Sequence, residues 1–267
     1  LDTNQTIQVN NLKKNYKTVT AIDDISFGVE RGEIFGLIGP DGAGKTTIFR
    51  IFTTLLIPDE GKATVEGYRV VHDYRKIRSL IGYMPGRFSL YLDMTVRENL
   101  EFFATIFDTT VEENYDLIKN IYQQIEPFKD MLAGNLSGGM KQKLALSCAL
   151  IHKPSVLVLD EPTTGVDAVS RKEFWEMLVK LKEQGITILV STPYMDEASR
   201  CDRVALVQKG HLLEVATPQE VKNGFKGQLF GVSGENLYRL IQGCRDFDEV
   251  FSVYPFGREL HLVFKDG

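Results

Sequence analysis

Short continuous apolar runs alternate along this chain with longer segments whose apolar residues recur every three or four positions. The runs are Ile34 to Ile38, Val156-Leu157-Val158-Leu159 and Ile186 to Val190. Their length and branched residues suit central parallel strands covered on both faces. A helical pattern starts near Lys45 and runs to about Leu56, where Pro58-Asp59-Glu60-Gly61 turns the chain. Thr95-Val96-Arg97-Glu98 is a capping-box sequence opening a helix to about Phe107, and an amphipathic helical pattern continues to Ile125. Val169 to Glu183 carries Phe174, Met177, Leu178 and Leu181 at helical spacing. Ile7 to Tyr16 and Ala21 to Glu30 read as antiparallel strands, and Lys62 to Val65 and Leu80 to Met84 as two more.

The pattern changes beyond Asp202. Arg203 to Val207 and Leu212 to Ala216 form a hairpin pattern around Lys209-Gly210, and Thr217-Pro218-Gln219-Glu220 starts a helix with proline at its first position. The tail reads strand (Gln228 to Val232), helix (Glu235 to Ile241), strand (Glu249 to Val253), strand (Leu260 to Phe264). This order predicts an α/β fold: a mostly parallel sheet flanked by helices, with an antiparallel β subdomain, a helical subdomain and a small C-terminal α+β appendage. We expect residues 1–223 to form the main domain, with its helical subdomain at about 87–153, and residues 224–267 to form the extension. The chain ends just after an alternating strand, so we expect it to be part of something longer.

One segment adds chemistry to the pattern. Gly39-Pro40-Asp41-Gly42-Ala43-Gly44-Lys45-Thr46-Thr47 fits G-x-x-x-x-G-K-[ST], with an apolar strand running in and a helix running out. Glycines let the backbone bend until successive N–H groups face phosphate oxygens, and the helix N-terminus adds partial positive charge. Lys45 is placed to reach the β- and γ-phosphates and the Thr46 hydroxyl to hold magnesium, which makes the predicted core that of a P-loop NTPase.

Composition mostly excludes. A net charge of −5 over 267 residues gives no reason to expect a nucleic-acid surface. No apolar run approaches the ~20 residues that span a bilayer, and no signal peptide is visible before Tyr16. Cys148, Cys201 and Cys244 lie far apart, without metal-ligand spacing and without clustering with His72, His152, His211 or His261. They read as reduced thiols of a cytosolic protein.

Two further segments narrow the class. Leu136-Ser137-Gly138-Gly139-Met140-Lys141-Gln142 precedes a helix rich in Ala and Leu, and Val156 to Leu159 ends in Asp160-Glu161-Pro162. A buried strand ending in two carboxylates suits delivery of acid groups to a metal: Asp160 as magnesium ligand, Glu161 to orient or deprotonate the attacking water. With these motifs the chain resembles the ATP-binding cassette (ABC) family, the nucleotide-binding subunits of membrane transporters, over roughly Ile7 to Val221. Leu136 to Lys143 resembles the family's signature motif. The resemblance implies a head-to-tail dimer in which Ser137, Gly138 and Gly139 of one subunit close over ATP and Mg2+ held by the phosphate loop of the other. It further implies that Tyr16 stacks on adenine and that Asp167, in Thr164-Gly165-Val166-Asp167, faces the opposite subunit. The partners implied are a transmembrane permease subunit and a second nucleotide-binding subunit, identical or different. The location implied is the cytoplasmic face of the cell membrane, and export is the implied direction. The segment Phe88 to Leu92 maps to the groove that receives a helix of the membrane partner, or else is a loop tucked onto its own core.

Two positions depart from the family. Gly86 stands where a glutamine usually contacts magnesium and water, and Pro193 where a histidine usually contacts the γ-phosphate. Both changes remove polar groups, so we expect normal ATP binding with slowed hydrolysis; Arg87, Thr192 and Tyr194 are candidates for a substitute contact. Asp41 is a milder change from the common asparagine. Two other readings stay open: a regulatory cassette that binds ATP but hydrolyses it poorly, and a soluble cassette protein outside transport. The sequence lacks the second cassette, basic linker or coiled-coil insertion usual in the latter.

Overall fold

The computed structural model describes residues 4–224, 228–234 and 236–264. The chain gathers into two compact units, Leu1–Pro218 and Gln219–Gly267, so the division falls at 218 rather than at the expected 223.

In the first unit, β1 (Gln5–Tyr16) and β2 (Val19–Glu30) form a hairpin whose inward residues Ile7, Val9, Leu12, Ile22, Ile25 and Val29 are buried. Strand β3 (Ile34–Ile38) is buried at every position and leads into the phosphate loop and α1 (Lys45–Phe52). The helix stops before the expected Leu56. Thr54 adopts a left-handed backbone (φ 59°), and the N–H groups of Leu55 and Leu56 turn back to the Arg50 carbonyl. That closure satisfies carbonyls that the helix end leaves free. Next come β4 (Glu60–Val65), β5 (Tyr68–Arg69), α2 (Tyr74–Leu80) and β6 (Ile81–Met84). Leu80, expected in a strand, ends α2, a short helix that buries only Ile77 and so leaves little periodic signal.

The helical part holds α3 (Val96–Ile106), α4 (Tyr115–Tyr122) and α5 (Gly138–Leu150). The capping box forms as read: the Glu98 N–H donates to Thr95 Oγ1 and the Thr95 N–H to Glu98 Oε2. The helical pattern expected on to Ile125 is broken by Asp108 in a left-handed conformation, followed by turns up to Asn114. The unit continues with β7 (Val156–Asp160), α6 (Ala168–Glu183), β8 (Thr187–Thr192), α7 (Met195–Ala198), β9 (Arg203–Gln208) and β10 (His211–Ala216), and the helix α8 (Pro218–Gly224) starts at the unit's last residue and belongs otherwise to the second unit.

Two sheets result. One is antiparallel, in the order β2-β1-β4-β5. The other runs β10-β9-β3-β8-β7-β6 and is parallel except for β10 at its edge. The core lies between β1, β2 and α1 on one side and β3, β7 and β8 on the other, with Phe27 stacked on Phe35 at 5.4 Å. The fold is therefore α/β, with a mostly parallel sheet flanked by helices. Among the described residues no helix is long and apolar enough to cross a membrane.

The second unit contains β11 (Leu229–Val232), α9 (Leu237–Arg245), β12 (Val250–Phe256) and β13 (Glu259–Phe264), with the strands in the antiparallel order β11-β13-β12. Val253, Leu260 and Leu262 form its small core with Leu240 and Ile241 of the helix. Glu235, expected to open that helix, lies outside the described residues.

Candidate nucleotide-binding site

The parallel strands β3, β7 and β8 deliver their C-terminal ends to one place, the usual position of a ligand site in such a sheet. Gly44 there is left-handed (φ 107°) and caps α1, and a Cβ on it would sit 2.5 Å from the Ala21 carbonyl. Gly39 is as constrained, since a Cβ would meet the Val207 carbonyl at 2.1 Å. The loop is thus clamped between β2 and β9, and only glycine fits at both points. Its consequence is a helix start whose first N–H groups, at Lys45, Thr46 and Thr47, face outward without intrahelical partners.

A cleft of about 500 Å³ opens over this helix start, within the usual range for small-molecule sites. Tyr16, Val19, Thr20 and Ala21 line one end; Asp41 to Thr47, Glu161 and Lys209 line the rest. Tyr16 is 41% exposed and lines the cleft, available for stacking. Lys45 is buried, and its ammonium donates to the carbonyls of Gly39 (2.8 Å) and Pro40 (3.1 Å) and pairs with Glu161 Oε1 (3.2 Å). Beneath the cleft the Thr46 hydroxyl donates to Asp160 Oδ2 (2.8 Å), and the Ser191 hydroxyl donates to Asp160 Oδ1 (2.7 Å). Glu161 takes a left-handed backbone (φ 50°), which lifts its side chain from the strand end toward Lys45. Burial, and next the charge of Asp160, push the Tyr83 phenol up to about 12, so it is a neutral neighbour.

The hydroxyl of Thr46 and the carboxylate of Asp160 are hard oxygen donors suited to Mg2+. Among the described residues no group of three or more His, Cys, Asp or Glu stands close enough to hold a metal alone. These two donors therefore fit a magnesium ion that arrives with phosphate oxygens, not one held by protein alone.

Not all the expected residues meet here. Ser137, Gly138 and Gly139 open α5, where the Ser137 hydroxyl accepts from the Met140 N–H. A Cβ on Gly139 would meet Ser170 Oγ at 2.7 Å, so this turn packs on the start of α6. Asp167 caps that helix, accepting from Val169 and Ser170, bonds that hold its carboxyl below the usual range. These four residues form a second cluster and do not line the cleft. The candidates for a substitute contact are not in the cleft either. The Thr192 hydroxyl donates to Glu197, and the Tyr194 ring lies under Arg171 at 5.3 Å.

Two groups at the site escaped the sequence reading. Lys209 is the tip of the β9–β10 hairpin. The Gly210 N–H donates to the Ala43 carbonyl, and the Gly210 carbonyl accepts from the Asp23 N–H, which brings the tip to the cleft. The Lys-Gly turn was legible, but its docking is tertiary. Ser191 was read only as part of a strand end.

The sequence profile of the ABC transporter family matches residues 22–164. The chain belongs to that family. A probable multidrug ABC transporter ATP-binding protein of Escherichia coli is 38% identical over 97% of the chain, which spans only 46% of that relative. The Nod factor export ATP-binding protein I of Rhizobium sp. is 38% identical over 88% of the chain and 80% of its own length. Among solved structures, cbiO1 from Clostridium perfringens, part of the ABC transporter complex cbiONQ, has a TM-score of 0.74 at 29% identity, covering 83% of this chain and 92% of that one. A dimeric ATP-binding cassette in a post-hydrolysis state with ADP and Pi has a TM-score of 0.72 at 25% identity, covering 79% and 98%. This chain shares its fold with these ATP-binding cassettes.

Proposed function

We propose that this cassette is the ATP-binding and hydrolysing motor subunit of an ABC transporter, working in export. The observation that carries the reading is the convergence of Lys45, Thr46 and Glu161 in one cleft that also holds an accessible tyrosine, with Asp160 bonded to Thr46 beneath it. Adenine stacks on Tyr16, and the phosphates lie along the loop from Asp41 through Gly42, Ala43 and Gly44 to Thr47. The incoming γ-phosphate takes over the Lys45 ammonium, exchanging one anionic partner for another and releasing Glu161 to orient water. Thr46 and Asp160 would hold magnesium, which when bound would supply positive charge against the phosphates.

The second cluster, Ser137 to Gly139 with Asp167, serves the neighbouring cassette, closing over its nucleotide in a head-to-tail dimer. Support comes from its separation from the chain's own cleft and from the dimeric state of a solved relative. Export is supported by the multidrug and Nod factor export relatives. A transmembrane permease subunit places the cassette at the cytoplasmic face of the membrane. An apolar groove of about 430 Å³, lined by Leu55, Tyr83, Phe103, Ile106 and Phe107, suits a helix of that partner. In the segment Phe88 to Leu92, Leu90 is buried, while Tyr91 and Leu92 are exposed.

Hydrolysis is slow in this reading. Gly86 lies against the Asp160 backbone and offers no side chain, and Pro193 has no donor to give. The same observation favours a second reading, a regulatory cassette that binds ATP and hydrolyses it poorly; the intact Glu161 weighs against it. Turnover of the assembled transporter tests both. A rate well below that of fully equipped relatives and abolished by Glu161→Gln is expected; a family-typical rate refutes slow hydrolysis, and no turnover at all favours the regulatory cassette.

A further inference from the structure

We propose that Ser191 is a positioning residue of the hydrolytic centre, one hydroxyl that fixes both the magnesium-binding carboxylate and the backbone of the general base. The inference rests on the reading of the cleft as a magnesium–nucleotide site.

The parallel register of β7 and β8 sets Ser191 directly beside Asp160. Ser191 is wholly buried. Its hydroxyl donates to Asp160 Oδ1 at 2.7 Å and accepts the Glu161 N–H at 2.9 Å. A serine hydroxyl has one proton to give and two lone pairs, so both bonds are satisfied together. The Ser191 carbonyl also accepts the Glu161 N–H, at 3.2 Å.

Two consequences follow. Each Asp160 oxygen has one hydroxyl donor, but the two donors differ. Thr46, on Oδ2, stands at the loop and itself faces the metal position; Ser191, on Oδ1, is fixed in the sheet. The oxygen free to turn to a metal is therefore Oδ2, and Ser191 holds Oδ1 out of the competition. The second consequence concerns Glu161. A non-glycine residue at φ 50° persists only where its surroundings determine it. The Ser191 hydroxyl and carbonyl supply that determination through the Glu161 N–H. The metal ligand and the base thus share one anchor and keep a fixed relation to each other.

The test uses the full chain, ATP and Mg2+, with Ser191→Ala and Ser191→Thr. Outer partners of metal ligands typically contribute ~10–100-fold to metal affinity or activity. Ser191→Ala is expected to raise the Mg2+ concentration for half-maximal hydrolysis at least about tenfold and to lower kcat by a similar factor. Its ATP affinity measured in EDTA, without metal, stays within about twofold of wild type, because the phosphate loop is untouched. Ser191→Thr keeps the hydroxyl and returns the Mg2+ requirement toward wild type, which a purely structural role does not predict. A Ser191→Ala chain with an unchanged Mg2+ requirement overturns the proposal, whether or not kcat falls. A wild-type chain that fails to bind ATP at all overturns instead the site reading beneath it.

Discussion

Lys45 donates two hydrogen bonds to carbonyls of its own loop and pairs by charge with Glu161. Removing Glu161 charge while keeping its shape separates binding from chemistry. Glu161→Gln is expected to keep ATP affinity within a few-fold and to reduce turnover by at least ~10², the scale of a lost general base. Steady-state phosphate release against equilibrium nucleotide binding measures both. Lys209 adds a second cation at the cleft that no local motif announces. Lys209→Met is expected to weaken ATP and to flatten the salt dependence of its binding, since an exposed charge acts through screened attraction. His152 belongs to a different balance. Its ring stacks on Phe107 at 3.8 Å, its Nε2 meets the Ile81 carbonyl, and its buried Nδ1 has no hydrogen-bond partner among the described residues. Burial lowers its pKa below that of the unfolded chain. The unfolded state then binds more protons as pH falls, so the stability that the neutral ring supports is present above the usual imidazole range. It is lost as pH falls through that range toward the folded value. Melting temperatures at pH 8 and pH 5.5 should show a drop that His152→Gln diminishes.

At the scale of elements, the phosphate loop depends on a left-handed glycine wedged against β2. Gly44→Ala meets both a disfavoured φ and the Ala21 carbonyl, so a loss of stability of ~1–3 kcal/mol together with loss of nucleotide binding is expected. Calorimetric melting with and without ATP distinguishes the two losses. The segment joining β8 to α7 depends on a buried carboxylate. Glu197 accepts from the hydroxyls of Thr163 (2.7 Å) and Thr192 (2.6 Å), joining the loop after β7 to the place where Pro193 stands. Glu197→Ala leaves both hydroxyl protons without their acceptor, although Thr192 Oγ1 still accepts the Tyr194 N–H, and should cost ~1–3 kcal/mol in a denaturant titration. Elements with strong periodicity or a capping signal were legible in the sequence: β3 at its observed limits, the Thr95 cap, and α6 from one residue before its expected start. Others were settled by tertiary structure. Leu55 and Leu56 kept an apolar helical pattern, yet the chain turned at Thr54 and left Leu55 58% exposed beside the groove. Ser191 and Lys209 gained their places from strand register and hairpin docking, which no single stretch of sequence encodes.

At the scale of the whole molecule, the chain separates the residues of the proposed shared site into two clusters. The phosphate loop, Asp160 and Glu161 lie at the strand ends, and Ser137 to Gly139 lie with Asp167 where α5 and α6 begin. Such a division makes sense if each cleft is completed by another cassette. Motif spacing alone does not encode the distance between the clusters; their separation was expected only from the family resemblance, which sets Ser137 to Gly139 and Asp167 against the opposite subunit. Sedimentation of the Glu161→Gln chain with ATP should show a dimer that Ser137→Arg abolishes while nucleotide binding persists. All of this presupposes that the cleft takes ATP. The most direct measurement is a calorimetric titration of the folded wild-type chain with ATP and Mg2+, beside Lys45→Ala. The account predicts saturable binding of one nucleotide per chain, weakened about tenfold or more in the variant, the scale of a charge-assisted hydrogen bond. A folded wild-type chain that shows no saturable binding contradicts it.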